Sequence, residues 1–171
     1  MEYPATILRL SKILLLLSVA LFFTIVAFTN MTDYDSNAQF VRHVLSMDTT
    51  FPGNRAMYRA LPQHGIQTVF YLSIIAWETL TAILSWAGGI HLLRSLKAPA
   101  AVFQRQKSIG IAALTLGLLL WMVAFLTIGG EWFLMWQSHT WNGQDAAFRM
   151  FTVLGIILLY LAAPEPEQAM L

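Results

Sequence analysis

The chain contains no cysteine and few charged residues. Without cysteine it cannot form disulfides, bind metals through thiolates or attach haem through thioethers, which excludes thiol–disulfide chemistry. Charged residues make up only 11% of the sequence, whereas a soluble domain normally carries about 25%. No phosphate-binding glycine loop, no His-Glu-x-x-His pair and no Gly-x-Ser-x-Gly elbow occurs. These absences argue against an enzyme, and we expect neither catalytic activity nor a bound cofactor.

Long apolar segments dominate the chain instead. Hydrophobic residues make up 57% of the sequence and the mean hydropathy is +0.62, which indicates an integral membrane protein. A bilayer span needs about 20 mostly apolar residues, and four segments approach or exceed that length: residues 13–29, 66–93, 109–128 and 146–163. We therefore predict an all-α polytopic membrane protein, with residues 1–171 as a single domain and four transmembrane helices in a small bundle.

The first apolar segment has two interpretations. Arg9 and Lys12 precede it, as basic residues precede the apolar region of a secretory signal peptide. However, the segment runs into FTNMTDY, and no small-x-small cleavage motif follows it. We interpret it as an uncleaved first span.

Basic residues concentrate in the link between the second and third spans. Arg94, Lys97, Arg105 and Lys107 lie there without any acidic residue. Short loops rich in lysine and arginine face the cytoplasm. This basic link, the N-terminus and, with an even number of spans, the acidic tail PEPEQAML are therefore predicted to be cytoplasmic, which leaves the loop at residues 30–65 outside. The net charge of +1 indicates no nucleic-acid partner, and lipid headgroups are the expected contact of the basic link.

Part of the outer loop has the pattern of a helix lying on the membrane surface. In NAQFVRHVLSMD the apolar residues recur at near-helical spacing, at Phe40, Val41, Val44, Leu45 and Met47. We predict a short amphipathic helix there. A turn at Pro52 and Gly53 follows, and Asn54 is expected to begin a second short helix that Pro62 ends.

The third span is apolar beyond bilayer length and runs into an aromatic segment. Gly129 and Gly130 allow the helix to end or bend. An outer interfacial cluster is predicted just after them, formed by Glu131, Trp132, Trp136 and Trp141. One interpretation is a plain interfacial anchor. The other is an outer-face site for an apolar ring or a partner helix, built around Glu131.

Glu78 stands near the middle of the second span, in IAWETLTAIL. A charge at mid-bilayer depth costs about 2.5 to 3.5 kcal/mol on insertion scales, so it is retained only against other helices, a partner or water. Helical spacing places it in one intramembrane polar stripe with Tyr71, Thr81 and Ser85. Three roles stay open: a hydrogen-bonding clamp between helices, a proton or cation relay, and a contact with the polar group of a ligand, quinone or partner subunit.

The third span carries a row of small residues that suits close helix packing. Small side chains allow two helix backbones to approach each other in a membrane. The row consists of Gly110, Ala113, Gly117 and Ala124. We expect another helix to pack against this face.

The histidines do not form a pattern typical of a metal or haem site. His91 is alone near the inner end of the second span, so bis-histidine haem ligation would need a second chain. His43, His64 and His139 fall in the outer segments without ligand spacing. We therefore expect no metal site.

Three stretches carry a resemblance to a known family. They are FVRHVLSMDTTFPGN, YLSIIAWETLTAIL and FLTIGGEWFLMWQSHTWNGQDAAFR, at residues 40–54, 71–84 and 125–149. They resemble the signature stretches of an uncharacterised bacterial family of predicted small integral membrane proteins, domain-of-unknown-function family 2165, and the similarity runs over nearly the whole chain. The resemblance implies a four-helix protein of the bacterial cytoplasmic membrane and no particular activity.

Three functional classes follow from these features. The first is an accessory or scaffold subunit that packs against a larger membrane complex through its aromatic outer belt and small-residue faces. The second is a small proton-coupled transporter or channel that acts as a homo-oligomer through Glu78. The third, a membrane enzyme, is disfavoured because Glu78 and Glu131 are predicted to lie about 20 Å or more apart along the membrane normal, too far for an acid–base pair. The sequence favours the accessory role, with the lipid bilayer and a membrane protein or a second copy of the chain as partners.

Overall fold

The computed structural model describes residues 5–165 and is all-helical over that range, which confirms the predicted class. Its α-helices in chain order are α1 (Ala5–Thr32), α2 (Tyr34–Ser46), α3 (His64–Arg94), α4 (Ala100–Gln106), α5 (Ser108–Leu119) and α6 (Gln144–Ala162). A π-helical segment, Leu120–Trp132, continues α5 without a break, and single 3-10 turns occupy Met57–Arg59 and Met135–Gln137. Only the first two residues of the acidic tail, Pro164 and Glu165, fall within the described residues.

Within residues 5–165, four helical stretches are long and apolar enough to cross a membrane. They are Ala5–Thr32, His64–Arg94, Ala100–Trp132 and Gln144–Ala162. α1 therefore continues past residue 29 through Thr32, and the third span continues past the Gly129–Gly130 pair to Trp132. The extension of α1 brings Asn30 inside the bundle.

The four spans close into a ring. α1 packs along α3, α3 along α5, α5 along α6, and α6 returns to α1. Fully buried apolar side chains from all four walls fill the centre, among them Leu16, Phe23, Leu92, Leu114 and Leu154. α1 thus contributes to the core as the other three spans do.

A glycine contact sets the distance between α3 and α5. A Cβ atom added at Gly88 would lie 2.8 Å from the backbone nitrogen of Gly110 and 2.9 Å from its Cα atom. Two helix backbones approach this closely only where neither residue has a side chain. Gly110, Ala113 and Gly117 of the predicted small-residue face are buried, and Ala124 is partly buried. Side chains of α1 and α6 also pack over Gly110 and Gly117.

One end of the bundle is covered by α2. Its buried face, Ala38, Val41, Val44 and Leu45, recurs with the helical period and confirms the predicted amphipathic helix. The residues after it depart from the expectation, since the helix expected from Asn54 is only the 3-10 turn Met57–Arg59. The Asn54 side chain accepts a hydrogen bond from the Ala56 N–H, 2.9 Å, which forms a turn instead of a helix.

The two ends of the bundle differ in chemistry. We call the end with α2 and residues 133–143 the loop end. The opposite end, with the first turns of α1 and the α3–α4 connection, is called the basic end.

Candidate functional site

Glu78 lies in the middle of α3 and bonds to a side chain of α1. Its side chain is buried, with 2% of the residue exposed. The Asn30 Nδ2 donates a hydrogen bond to Glu78 Oε2, 2.7 Å, and the Tyr71 hydroxyl donates to the Asn30 carbonyl oxygen, 3.1 Å. Glu78, Asn30 and Tyr71 therefore form a buried chain of hydrogen bonds that connects α1 with α3.

Asn30 was missed as a partner because the sequence places it in the outer loop. It follows the apolar run of the first span, so it looks like the first residue outside the membrane. In the structure α1 extends through Thr32, and Asn30 is buried, with 8% of the residue exposed. An amide directly after an apolar run was the available signal, although it did not identify Glu78 as the partner.

The remaining members of the polar stripe are buried on the same face but do not bond to Glu78. The Thr81 hydroxyl donates to the carbonyl oxygen of Trp77 in its own helix, 2.8 Å. Within residues 5–165 the Ser85 hydroxyl has no hydrogen-bond partner. One turn further, Gly88 packs against the backbone of α5 without room for a methyl group. The stripe is therefore closed on the side of the basic end.

Glu78 lines one cavity of about 270 Å³, and a second cavity of about 270 Å³ adjoins it. The first, which we call the Glu78 cavity, is lined by Glu78, Asn30, Tyr71 and Trp121 and reaches exposed Asn37 of α2. The second, which we call the apolar cavity, lies between α2, α3 and the π-helical segment. Its lining is almost entirely apolar, and four residues line both cavities: Phe40, Val41, Ile74 and Phe125.

A cluster of buried charges closes the basic end. The Glu165 carboxylate accepts hydrogen bonds from Arg9 Nε, 3.3 Å, from Lys12 Nζ, 2.7 Å, and from Lys107 Nζ. All four side chains are at most 4% exposed. Three buried cations therefore share one carboxylate, and the cluster joins the first span, the third span and the segment after α6.

Backbone carbonyl groups complete the charge cluster. Arg9 Nη1 donates to the carbonyl oxygens of Leu96, 2.9 Å, and Ala98, 2.7 Å, just after α3. Lys12 and Lys107 both donate to the carbonyl oxygen of Ala163, 3.1 and 2.7 Å. These bonds satisfy backbone carbonyl groups that lie just beyond the ends of α3 and α6.

The predicted basic link separates into two kinds of residue. Arg94, Lys97 and Arg105 are exposed, as a headgroup contact requires. Lys107 is fully buried in the charge cluster. The sequence does not distinguish Lys107 from the exposed cations because its partner, Glu165, is far away along the chain.

The outer interfacial cluster is divided among several contacts at the loop end. Trp132 lies under the guanidinium group of Arg59, 4.8 Å from the ring centre, and Trp136 packs edge-on against Phe51. Trp141 stacks on His43 with ring centres 4.5 Å apart. Glu131 is exposed. The structure thus gives each tryptophan its own partner and does not gather the three around Glu131.

The histidines remain scattered in the part of the chain that the structure describes. His43 pairs with Asp48, 2.8 Å. No group of three or more histidine, aspartate or glutamate side chains in residues 5–165 is arranged to hold a metal ion.

The comparison with protein families decides what kind of protein this is. The family described as predicted small integral membrane protein (DUF2165) matches residues 8–164. The chain belongs to this family. The family's description agrees with the four apolar helices, so the protein is an integral membrane protein. No curated protein and no solved structure matches the chain significantly.

The Glu78–Asn30 hydrogen bond predicts different effects for two substitutions. Glu78→Gln keeps an oxygen that accepts from Asn30, so its effect on the free energy of unfolding should be small. Glu78→Leu removes the acceptor and should lower that free energy by about 1 to 2 kcal/mol. Unfolding by SDS titration in mixed micelles measures both, and equal losses in the two variants would contradict the clamp.

Glu165 predicts a loss of stability in acid. Burial raises the pKa of this carboxyl, but hydrogen bonds and charge from Lys107 and Lys12 outweigh burial and hold the pKa below its usual value. A group with a lowered folded-state pKa contributes stability above its unfolded pKa, about 4.3, and loses it as the pH falls through the folded value. The thermal unfolding midpoints of the wild type and Glu165→Gln should therefore differ at neutral pH and converge below about pH 4. A difference that is constant with pH would contradict this role.

Proposed function

We propose that the protein is an accessory subunit, without enzymatic activity, that packs against a larger complex in the bacterial cytoplasmic membrane. The observation that carries the proposal is the exposed aromatic surface at the loop end. Its large residues are between 44% and 78% exposed: Phe51, Met57, Tyr58, Trp132 and Trp136. Aromatic residues, methionine and arginine are the residue types enriched at protein interfaces. Arg59, held over Trp132, adds the arginine.

The buried polar groups support this role because the fold itself uses them. Glu78 accepts from Asn30, and Glu165 accepts from three cations. Groups committed to such bonds hold the bundle in one arrangement. A rigid bundle with an exposed aromatic end suits a subunit that supports a partner.

The alternative is a small proton-coupled transporter or channel that acts as a homo-oligomer. One observation favours it, since Glu78 lines a cavity that reaches exposed Asn37. A transport path must also reach the opposite side, where Gly88 and Gly110 are in backbone contact. The alternative therefore requires the α3–α5 contact to open.

The proposed orientation places the basic end in the cytoplasm. Arg94, Lys97 and Arg105 are exposed there, as cytoplasmic loops require. A reporter fused after Leu171 should be active in the cytoplasm. Activity on the outer side would reverse the orientation.

The accessory role is tested by extracting the tagged protein from its native membrane in a mild detergent. On a native sizing column it should co-migrate with a larger membrane protein in fixed stoichiometry. Trp132→Ala combined with Trp136→Ala should release that partner. Trp86→Ala, in the half of α3 towards the basic end, removes an exposed tryptophan elsewhere and should leave the complex intact. A homo-oligomer or a monomer alone would contradict the accessory role.

A further inference from the structure

One of the two oxygens of the Glu78 carboxyl group has no partner in the fold. Asn30 donates to Oε2, whereas Oε1 receives no hydrogen bond within residues 5–165. The side-chain atoms there that are both unpaired and fully enclosed include the Ser85 hydroxyl but not Oε1, and Glu78 lines the Glu78 cavity. Oε1 is therefore the part of the carboxyl group that the cavity reaches. Buried polar groups nearly always have a partner, so this oxygen points to a ligand.

The hydrogen bond from Asn30 indicates that the carboxyl group is ionised. Its N···O distance of 2.7 Å is at the short end of the range for such bonds, and bonds to charged acceptors are the shorter ones. Among the described residues that line the cavity, none is a lysine, arginine or histidine. A buried carboxylate without a cation is costly. A ligand that brings a positive charge into the cavity therefore relieves this cost.

The polar lining suits an organic cation better than a metal ion. Calcium and magnesium ions require about six or more oxygen ligands. The polar side chains that line the cavity beside Glu78 are only those of Asn30, Asn37 and Tyr71. No group of three or more histidine, aspartate or glutamate side chains in residues 5–165 surrounds a common point.

The aromatic lining suits a protonated amine. Phe40, Tyr71, Trp121 and Phe125 line the cavity, and the ring centres of Trp121 and Phe125 lie 4.8 Å apart. The faces of aromatic rings attract a positive charge. An ammonium group also carries N–H donors, so it can bond to Oε1 while it lies among the rings. A quaternary ammonium group has no N–H and would leave Oε1 unpaired.

The size and the opening of the cavity favour a small ligand that comes from the loop end. Its volume of about 270 Å³ is just below the range of about 300 to 1,000 Å³ that is typical of ligand pockets. Two lining residues are exposed, Asn37 of α2 and Ala146 in the first turn of α6. A water-soluble cation can therefore reach the cavity without crossing the bilayer.

We propose that the Glu78 cavity binds a small protonated amine, whose N–H donates to Glu78 Oε1 and whose hydrocarbon part packs against Phe40, Trp121 and Phe125. The ligand uses the oxygen that Asn30 leaves free, so it adds to the bond between α1 and α3. The site is separate from the aromatic surface at the loop end, and it does not depend on the accessory role.

The test compares two ligands with the same ring that differ in charge. Cyclohexylamine is protonated at neutral pH, as alkyl amines are, whereas cyclohexanol is neutral and still donates one hydrogen bond. Binding of each is measured by calorimetry in an uncharged detergent, with protein-free micelles as the background. Cyclohexylammonium should bind at one site per chain. Cyclohexanol should bind at least about tenfold more weakly, because its hydrogen bond to the carboxylate lacks the opposite charge.

Matched variants locate the site. Glu78→Gln removes the negative charge, keeps an acceptor for Asn30 and should weaken cyclohexylammonium binding at least about tenfold. Glu131→Gln makes the same change at an exposed residue and should leave the affinity unchanged. Ala146→Leu narrows the cavity at its exposed rim and should also weaken binding, so it tests the site even if Glu78→Gln fails to fold.

Three results would overturn the proposal. They are equal affinity for cyclohexylammonium and cyclohexanol, no binding above the micelle background, and an unchanged affinity for cyclohexylammonium in folded Glu78→Gln.

Discussion

Glu165→Ala is expected to lower the free energy of unfolding by about 3 to 5 kcal/mol, the range for removing one partner of a buried ion pair. The substitution leaves the three cations Arg9, Lys12 and Lys107 at the basic end, each at most 4% exposed, without a carboxylate. It also removes the acceptor that joins the first span, the third span and the segment after α6. The loss should be measurable by SDS titration in mixed micelles.

The charge cluster predicts that removing the carboxylate costs more stability than removing one of the three cations. Lys107→Met removes one of three cations and leaves Glu165 with Arg9 and Lys12, which reduces the excess positive charge. Its cost should therefore be clearly smaller than that of Glu165→Ala. Glu131→Ala is the matched control, since Glu131 is exposed, and should change the stability by no more than about 0.5 kcal/mol. A larger loss in Lys107→Met than in Glu165→Ala would show that the carboxylate does not organise the cluster.

Gly88→Ala is expected to destabilise the bundle by about 1 to 3 kcal/mol through overpacking. The added methyl group would lie 2.8 Å from the Gly110 backbone nitrogen, and a backbone cannot move aside as a flexible side chain can. α3 and α5 would have to separate along their whole contact. Alanine is a better helix former than glycine by about 1 kcal/mol, so this gain only partly offsets the steric cost.

A second glycine of the same helix provides the control. Nothing lies within 4 Å of a Cβ atom added at Gly65, near the start of α3. Gly65→Ala should therefore leave the stability unchanged or raise it by up to about 1 kcal/mol. The thermal midpoints of the two variants in the same detergent should move in opposite directions or differ clearly. Similar midpoints would mean that the α3–α5 contact is looser than described.

The spans were predictable because apolar runs of bilayer length are typical of transmembrane helices. α2 was predictable as well, since Val41, Val44 and Leu45 recur with the helical period. The π-helical segment was not, because the same apolar residues fit an α-helix equally well. Sequence spacing reports which residues share a face of one helix. It does not report which helix that face meets.

For this reason the sequence revealed the buried carboxyl of Glu78 but did not reveal which side chains the buried polar groups contact. Glu78 was conspicuous because a carboxyl in an apolar run is costly. Its partner Asn30 is 48 residues away, and Glu165 is 156 residues from Arg9. Pairs so distant meet only through the packing of whole helices.

We propose that Glu78 serves the bundle as a hydrogen-bond acceptor and does not carry protons across the membrane. Proton flux into liposomes that contain the purified protein, followed with an internal pH-sensitive dye under an imposed pH gradient, tests it most directly. Wild type and Glu78→Gln should both match protein-free liposomes, because Asn30 holds the carboxyl and the Gly88–Gly110 contact closes the path. Flux through the wild type that Glu78→Gln abolishes would contradict the claim and establish the transporter.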